Sequence, residues 1–351
     1  VPWQKSGLIN VIICGSSNKF FHDHVGGEEK ILRGLQTAAT VWVPPIDFVT
    51  LCNEFAPHWK MQEVAMLYMM TGGVPYYLER VDSSKPFIHA INQAFFTKIR
   101  NLQNETAELL SLEFSKLGLS NVLRLLACLG QAGSSHKNIA LKTGLSKPTI
   151  TKLLDRLVDY KLVYVRSPYL RRRRENEDLE RYYMRDFFLN WYFQVLRPLD
   201  KDISINDGGL LFPYKTGLSN AGDYIPNFTG AAFELFVRYL LEEERSFSCR
   251  FFKKMDLYDA SYLVHDYWDK QTQVDLLVEH TKDRVLRVID CKWSDSWDDT
   301  WIDQIKAKAC PKPEEYTRKD YIVVPTLPSI SVINKARAKN VEIIGLEDLA
   351  N

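Results

Sequence analysis

Three carboxylates and a lysine in the C-terminal third have types and spacing suited to phosphodiester chemistry. Asp290-Cys291-Lys292 closes an apolar run, Arg284 to Trp293, that reads as a strand. Alternation along a strand sends residues i and i+2 to one face. Asp290 and Lys292 therefore project together, while Ile289 and Cys291 face the other way. Gln273 to Val278 reads as the neighbouring strand and brings Asp275 beside Asp290. Glu234 borders the stripe Phe233, Phe236, Val237 and Leu240 of a helix expected from Gly230 to Glu244. Burying unpaired charge is costly, so such a cluster next to a central apolar strand needs a reason. Metal-dependent phosphodiester cleavage supplies one. Asp275 and Asp290 would hold Mg²⁺ through hard oxygens, and the metal would activate a water and neutralise phosphate charge. Lys292 would orient that water or stabilise the transition state, and Glu234 would complete the site. Each residue also has a structural reading: Glu234 as a helix-surface carboxylate, Asp275 as a strand-end residue, Lys292 as the ion-pair partner of Asp290.

A second constellation is basic. Between Ser120 and Asp200 the chain has 15 Lys and Arg against 8 Asp and Glu, a net +7 within a total of +1. Local concentration of positive charge is the footprint of nucleic-acid binding. Val122, Leu125, Leu126 and Leu129 fall on one face of a first helix. Gly133-Ser134-Ser135 breaks it, and His136 to Thr143 makes a second helix closed by Gly144. Ser146 can cap a third helix, with Pro148 in its first turn and Ile150, Leu153, Leu154 and Leu157 as its core stripe. Leu162 to Val165 and Arg181 to Met184 read as the strands of a hairpin. This is the pattern of a winged helix-turn-helix, whose third helix meets base edges and phosphates of duplex DNA. Lys147, Thr149, Thr151, Lys152 and Arg156 are its candidate contacts. Arg171, Arg172, Arg173 and Arg174 at the hairpin tip could reach flanking phosphates or a minor groove, although Glu175, Glu177, Asp178 and Glu180 share that tip. A protein-binding adaptor with a solvated arginine face is the alternative.

The chain's 351 residues are enough for about two or three domains. An apolar share of 46% with 25% charged residues excludes large-scale disorder, collagen and coiled coil. No run approaches the roughly eighteen apolar residues of a membrane span, and no signal peptide opens the chain. It begins with Val1 rather than Met, which leaves open a start inside a longer product. The cysteines at 14, 52, 128, 249, 291 and 310 form no Cys-x-x-Cys pair, arguing against zinc knuckles and redox motifs and for a cytoplasmic protein. Leu8 to Cys14 reads as a buried strand and Val41-Trp42-Val43 as a short second one closed by Pro44. Helical patterns follow from Asp47 to Leu117, including one from Lys85 to Arg100, and Thr71-Gly72-Gly73-Val74-Pro75 stops a helix. Residues 201–222, rich in Gly, Asn, Asp and Pro, read as a linker before an α/β domain.

The helical Glu234, strand Asp275 and Asp290-Cys291-Lys292 resemble the pattern of the restriction-endonuclease-like nucleases. The order of all parts resembles an archaeal and bacterial ATPase family of the AAA+/STAND type. In that family a P-loop domain precedes a helical lid, a winged helix and a restriction-endonuclease-like domain. Ile12-Ile13-Cys14-Gly15-Ser16-Ser17 is similar to its sensor strand, and Thr71-Gly72-Gly73-Val74-Pro75-Tyr76-Tyr77 to the segment opening its lid. The resemblance implies an α/β multidomain chain. It would comprise part of an ATPase core (1–60), a helical lid (61–117), a winged helix (118–200), a linker (201–222) and a nuclease-like domain (223–351). It implies that Ser16, Gly72, Gly73 and Pro75 lie near nucleotide, and it admits a homo-oligomer. The chain departs from the family in having no Gly-x-x-x-x-Gly-Lys-[Ser/Thr], so ATP binding is implied only if a P-loop portion lies upstream. It also has Leu32-Arg33-Gly34-Leu35 where the family has Leu-Tyr-Gly-Arg, which puts a charge-stabilising arginine in doubt. The leading expectation is the C-terminal portion of a nucleotide-dependent, DNA-associated ATPase with a Mg²⁺-dependent cleavage site. The alternative is a non-catalytic DNA-binding or adaptor protein in which both sites are vestigial.

Overall fold

A computed structural model describes Ile12, Val41 and residues 43–98, 102–114, 118–129, 133–170, 179–206, 209–212, 224–294 and 296–349. The expected strand Leu8–Cys14, the Arg33 and Leu35 positions, Ser16 and the arginine run 171–174 lie outside that set apart from Ile12. The chain is α/β, as its patterning indicates.

The first described unit is helical. It comprises α1 (Phe48–Phe55), α2 (Met61–Thr71), α3 (Pro75–Leu78), α4 (Phe87–Phe95) and α5 (Gln103–Phe114). The helix expected from Lys85 starts only after Pro86, which cannot supply an interior N–H. Val41 and Val43 are exposed and in no strand, against the expectation for that segment; among the described residues no neighbouring strand pairs with them. Every residue of α2 from Val64 to Thr71 is buried, so this helix is the centre of the core rather than its cover.

Next come α6 (Leu119–Cys128), α7 (His136–Thr143), α8 (Lys147–Asp159), and the antiparallel hairpin β1 (Val163–Arg166) with β2 (Arg181–Met184). Ser135 caps α7 by accepting the Asn138 N–H, and Gly144 ends it in the left-handed region at φ 66°. The stripes Val122, Leu125, Leu126 of α6 and Ile150, Leu153, Leu154, Leu157 of α8 are buried in one core. Ser146 holds the N-cap position of α8, but its hydroxyl pairs with Thr149 Oγ1 at 2.9 Å instead of capping a backbone N–H. Helix α9 (Phe187–Trp191) runs on into a π-helical turn over Tyr192–Leu196. Part of the expected linker is helical, α10 (Asp200–Ile205), because Ile203 is buried.

The last unit is a five-stranded sheet between helices. Helix α11 (Tyr224–Glu242) begins earlier than Gly230, and α12 (Arg250–Lys254) follows. Strands β3 (Leu263–Trp268), β4 (Gln273–His280), β5 (Val285–Cys291), β6 (Thr317–Val324) and β7 (Val341–Gly345) pair in sequence order. The first three are antiparallel and the last two join in parallel through α13 (Thr300–Ala307) and α14 (Ile330–Ala338). One face packs on α11 through Leu276, Val278 and Ile289. The other packs under α13 and α14 through Leu277, Leu286 and Val288. Both faces are covered, which is why β5 reads as an apolar run without alternation.

Candidate functional site

Asp275 and Asp290 meet where the β4–β5 ladder ends. The last paired residues are Leu276 and Ile289, so one step further the register sets Asp275 across from Asp290. Here Asp275 Oδ2 accepts the Cys291 N–H at 2.7 Å, doing what a strand carbonyl does elsewhere in the ladder. The expected orientation holds for the other side chains: Ile289 and Cys291 are buried in the core under α11. Asp290 has no exposed surface, and Lys292 Nζ stands 2.9 Å from its Oδ2. That oxygen is buried and has no hydrogen-bond partner in proper geometry.

Glu234 arrives from the opposite layer. Phe233 packs edge-on against Trp293 at 5.1 Å, tying α11 to the chain just past β5. Glu234, the next residue, thereby shares with Asp275 a cavity of about 40 Å³. The winged-helix hairpin closes this cavity through Tyr164 and Tyr183, and Arg238 and Asp266 form its floor. Among the described residues the Glu234 carboxylate makes no hydrogen bond or ion pair.

Lys308 is a member of the site that the sequence reading missed. It follows α13, sixteen residues beyond Lys292, in a stretch with no periodic pattern. Its Nζ donates to Asp290 Oδ1 at 2.5 Å and lies 3.7 Å from Asp275 Oδ1. Arg318 fixes its backbone by donating to the carbonyls of Lys308 and Ile305, each at 2.7 Å. Asp320 in turn accepts from Arg318 Nε at 2.6 Å and from Lys306 Nζ at 2.8 Å. A lysine at a helix end preceding a strand carries no sequence signature of its own.

These neighbours push the titrations apart. Burial raises the Asp275 carboxyl to about 7, with the charge of Asp290 adding to it. Burial also raises Glu234, helped by Asp275. Asp290 is buried too, but Lys308 and Lys292 outweigh that and hold it below the ordinary carboxylate range. Burial works against the charge on Lys308, yet Asp275 and Asp290 keep it protonated above its usual value. One ionised acid, two proton-retaining acids and two ammonium groups thus occupy one corner of the sheet. The donor set, hard carboxylate oxygens with one buried oxygen lacking a hydrogen bond, suits Mg²⁺. The space between the two aspartates is held by Lys308, and no group of three His, Cys, Asp or Glu is placed to hold a metal among the described residues.

The helix-turn-helix candidates are distributed unevenly. Lys147, Thr151, Lys152 and Arg156 line an exposed trough on α8, together with Asp155 and Asp159. Thr149 is half-buried and engaged with Ser146. Thr151 also donates to the Lys147 carbonyl at 3.1 Å, and its hydroxyl is 3.1 Å from His136 Nε2. The Gly72–Pro75 segment has a folding role at each position. Gly72 caps α2 in the left-handed region, donating to the Tyr68 carbonyl at 2.7 Å. Gly73, at φ 71°, accepts the Ile46 N–H at 2.9 Å, and a Cβ there would lie 2.0 Å from the Ile46 carbonyl oxygen. Pro75 opens α3.

Residues 118–167 match the IclR helix-turn-helix domain, so the basic unit is similar to a DNA-binding domain. The chain is 23% identical over 292 residues to the uncharacterized protein MJECL04 of Methanocaldococcus jannaschii. That alignment takes in 83% of this chain but 61% of the relative's length. No described helix is long and apolar enough to cross a membrane. Residues 213–304 match DUF234, archaeal and bacterial proteins of unknown function, in a span that holds Glu234, Asp275, Asp290 and Lys292 and stops short of Lys308.

Proposed function

We propose that the chain is part of a DNA-binding protein whose helix-turn-helix holds duplex DNA and whose Asp275–Asp290 site hydrolyses phosphodiester bonds with a divalent cation. The observation that carries the proposal is the convergence of Asp275, Asp290, Lys292 and Lys308 at one strand end. Asp275 and Asp290 would hold Mg²⁺, which when bound supplies charge stabilisation and a more acidic water. A cation held there would take the place of the Lys308 ammonium, which would then be available to phosphate. Lys292, about a quarter exposed, is placed to stabilise charge on the scissile group. Glu234, half-buried and proton-retaining, sits on the α11 side of the site as a candidate proton donor to the leaving oxygen.

Nucleotide dependence and self-association belong to the same proposal. They are supported by the resemblance of the Thr71–Tyr77 segment. ATP would bind only with a P-loop portion upstream, and its state would move the 61–117 helices; nucleotide-dependent hydrogen exchange across residues 62–117 is the expected result.

The test of cleavage is nicking of supercoiled DNA with Mg²⁺ or Mn²⁺. The parent chain should nick, and Asp290→Asn and Lys292→Ala should not. A parent that binds DNA and never nicks it removes the hydrolytic part. One observation favours that second reading, a DNA-binding or adaptor protein with an inert site: the Lys308 ammonium already pairs with Asp290 and lies beside Asp275.

A further inference from the structure

We infer that the turn between β3 and β4 is a second contact for the duplex held by the helix-turn-helix, touching a backbone phosphate through Lys270. The inference rests on the DNA-binding part of the proposal above and is independent of cleavage. An open cleft of about 680 Å³ separates the winged helix from this turn. Gly133, Ser135 and Asn138 at the start of α7 form one wall, and Trp268, Lys270 and Gln271 form the other. The cleft adjoins the recognition helix. His136, which follows Ser135, reaches Thr151 of α8 at 3.1 Å. In a helix-turn-helix, the helix before the recognition helix crosses the DNA backbone. A duplex seated on α8 therefore passes the mouth of the cleft.

The turn is stiff, and its own carboxylate is spent on holding it. Asp269 Oδ1 accepts the N–H groups of Gln271 and Thr272 at 2.8 and 2.7 Å. Its Oδ2 accepts the Tyr267 hydroxyl at 2.6 Å, and the Asp269 N–H donates to the Thr272 carbonyl at 2.9 Å. Lys270 and Gln271 are left exposed at the apex. Lys270 pairs with no carboxylate among the described residues, unlike most cations on this sheet. The Arg181 guanidinium lies 4.5 Å above the Trp268 ring and adds positive charge to the same cleft. An exposed lysine on a pre-ordered turn costs little entropy to place against a phosphate. Such contacts set register and carry no sequence information.

Counterion release makes the claim quantitative. Binding of a labelled duplex of about three helical turns is followed by fluorescence anisotropy between roughly 50 and 200 mM salt. Lys270→Ala should make the slope of log K against log salt shallower by about 0.9, equally for unrelated sequences. Lys270→Arg should keep the parent slope. Lys282→Ala, an exposed lysine on the β4–β5 turn at the other end of β4, should keep it too. A parent slope in Lys270→Ala, or an equal loss in Lys282→Ala, overturns the second contact while leaving the recognition helix intact. If the parent itself does not bind the duplex at the lowest salt, the DNA-binding reading fails as well.

Discussion

Asp290 and Asp275 are chemically identical side chains, directly opposed on adjacent strands, with opposite titration behaviour. The difference is how closely each one meets the lysines: Asp290 pairs with Lys308 and Lys292, while Asp275 has only Lys308, at 3.7 Å. Lys308 and Lys292 hold Asp290 ionised, so its contribution to stability is present above the ordinary carboxylate pKa and lost as pH falls through its depressed value. Asp275 is buried beside that charge and raised to about 7. Between about pH 4 and pH 7 the unfolded chain therefore binds fewer protons at this position than the fold does, and stability falls as pH rises through that window. Asp275→Asn should accordingly raise Tm relative to the parent at pH 8, with a smaller gain at pH 5. A gain that does not change with pH would sink this assignment. Asp290→Ala leaves two ammonium groups facing a buried, uncompensated space and should cost about 3 kcal/mol in urea denaturation. A loss under about 1 kcal/mol would place the pair in the surface-bridge class. Of this quartet, Asp275, Asp290 and Lys292 were readable because strand alternation is local. Lys308 was not, because only the β5–β6 crossover and the Arg318 clamp bring it there.

At the scale of elements, the same turn residues admit a functional and a folding account. Gly72 and Gly73 both have positive φ, but their surroundings differ. A Cβ on Gly72 would stand 3.3 Å from the Phe187 Cβ, a contact that can relax. A Cβ on Gly73 would meet the Ile46 carbonyl oxygen, which is backbone and cannot move aside without breaking its neighbours. Gly73→Ala should therefore destabilise by about 2–4 kcal/mol and Gly72→Ala by about 1 kcal/mol. Equal losses in thermal denaturation would contradict the close approach. The helix-turn-helix was the most legible part of the chain, since three short amphipathic helices with a serine cap and a glycine stop each follow a local rule. Its hydroxyls were less legible. Thr149 was expected to point outward, but the Ser146–Thr149 pair draws it against the start of its own helix.

At the scale of the molecule, the winged helix is fastened onto the sheet domain by partly buried charge. Arg166 of β1 donates to both Glu242 oxygens at 2.8 and 2.9 Å. It also lies 3.5 Å from Asp266, a residue that pairs with Arg238 as well. The Tyr169 N–H donates to the Asp266 carbonyl at 2.8 Å, extending β3 with a stretch of the wing. This clamp lies beside the cavity shared by Glu234 and Asp275, so the hairpin that follows the recognition helix also roofs one side of the carboxylate site. A double-mutant cycle of Arg166→Ala and Glu242→Ala should give a coupling of about 1–3 kcal/mol. Additive losses would mean that apolar packing alone docks the wing.

By itself the sequence determined the α/β class, the helix-turn-helix with its basic third helix, and the face of β5 that carries Asp290 and Lys292. Each of those follows from periodicity, caps and alternation, which act over a few residues. Tertiary structure decided that Asp275 lies directly across from Asp290 and that a lysine from beyond α13 fills the space between them. It also decided that part of the expected linker folds as α10 and that the wing closes over Glu234. Those outcomes depend on which surfaces are buried against each other across the whole chain. Burial raises Asp275 and Glu234 while the lysines hold Asp290 down, so the site's chemistry could be named from the residues but its protonation could not.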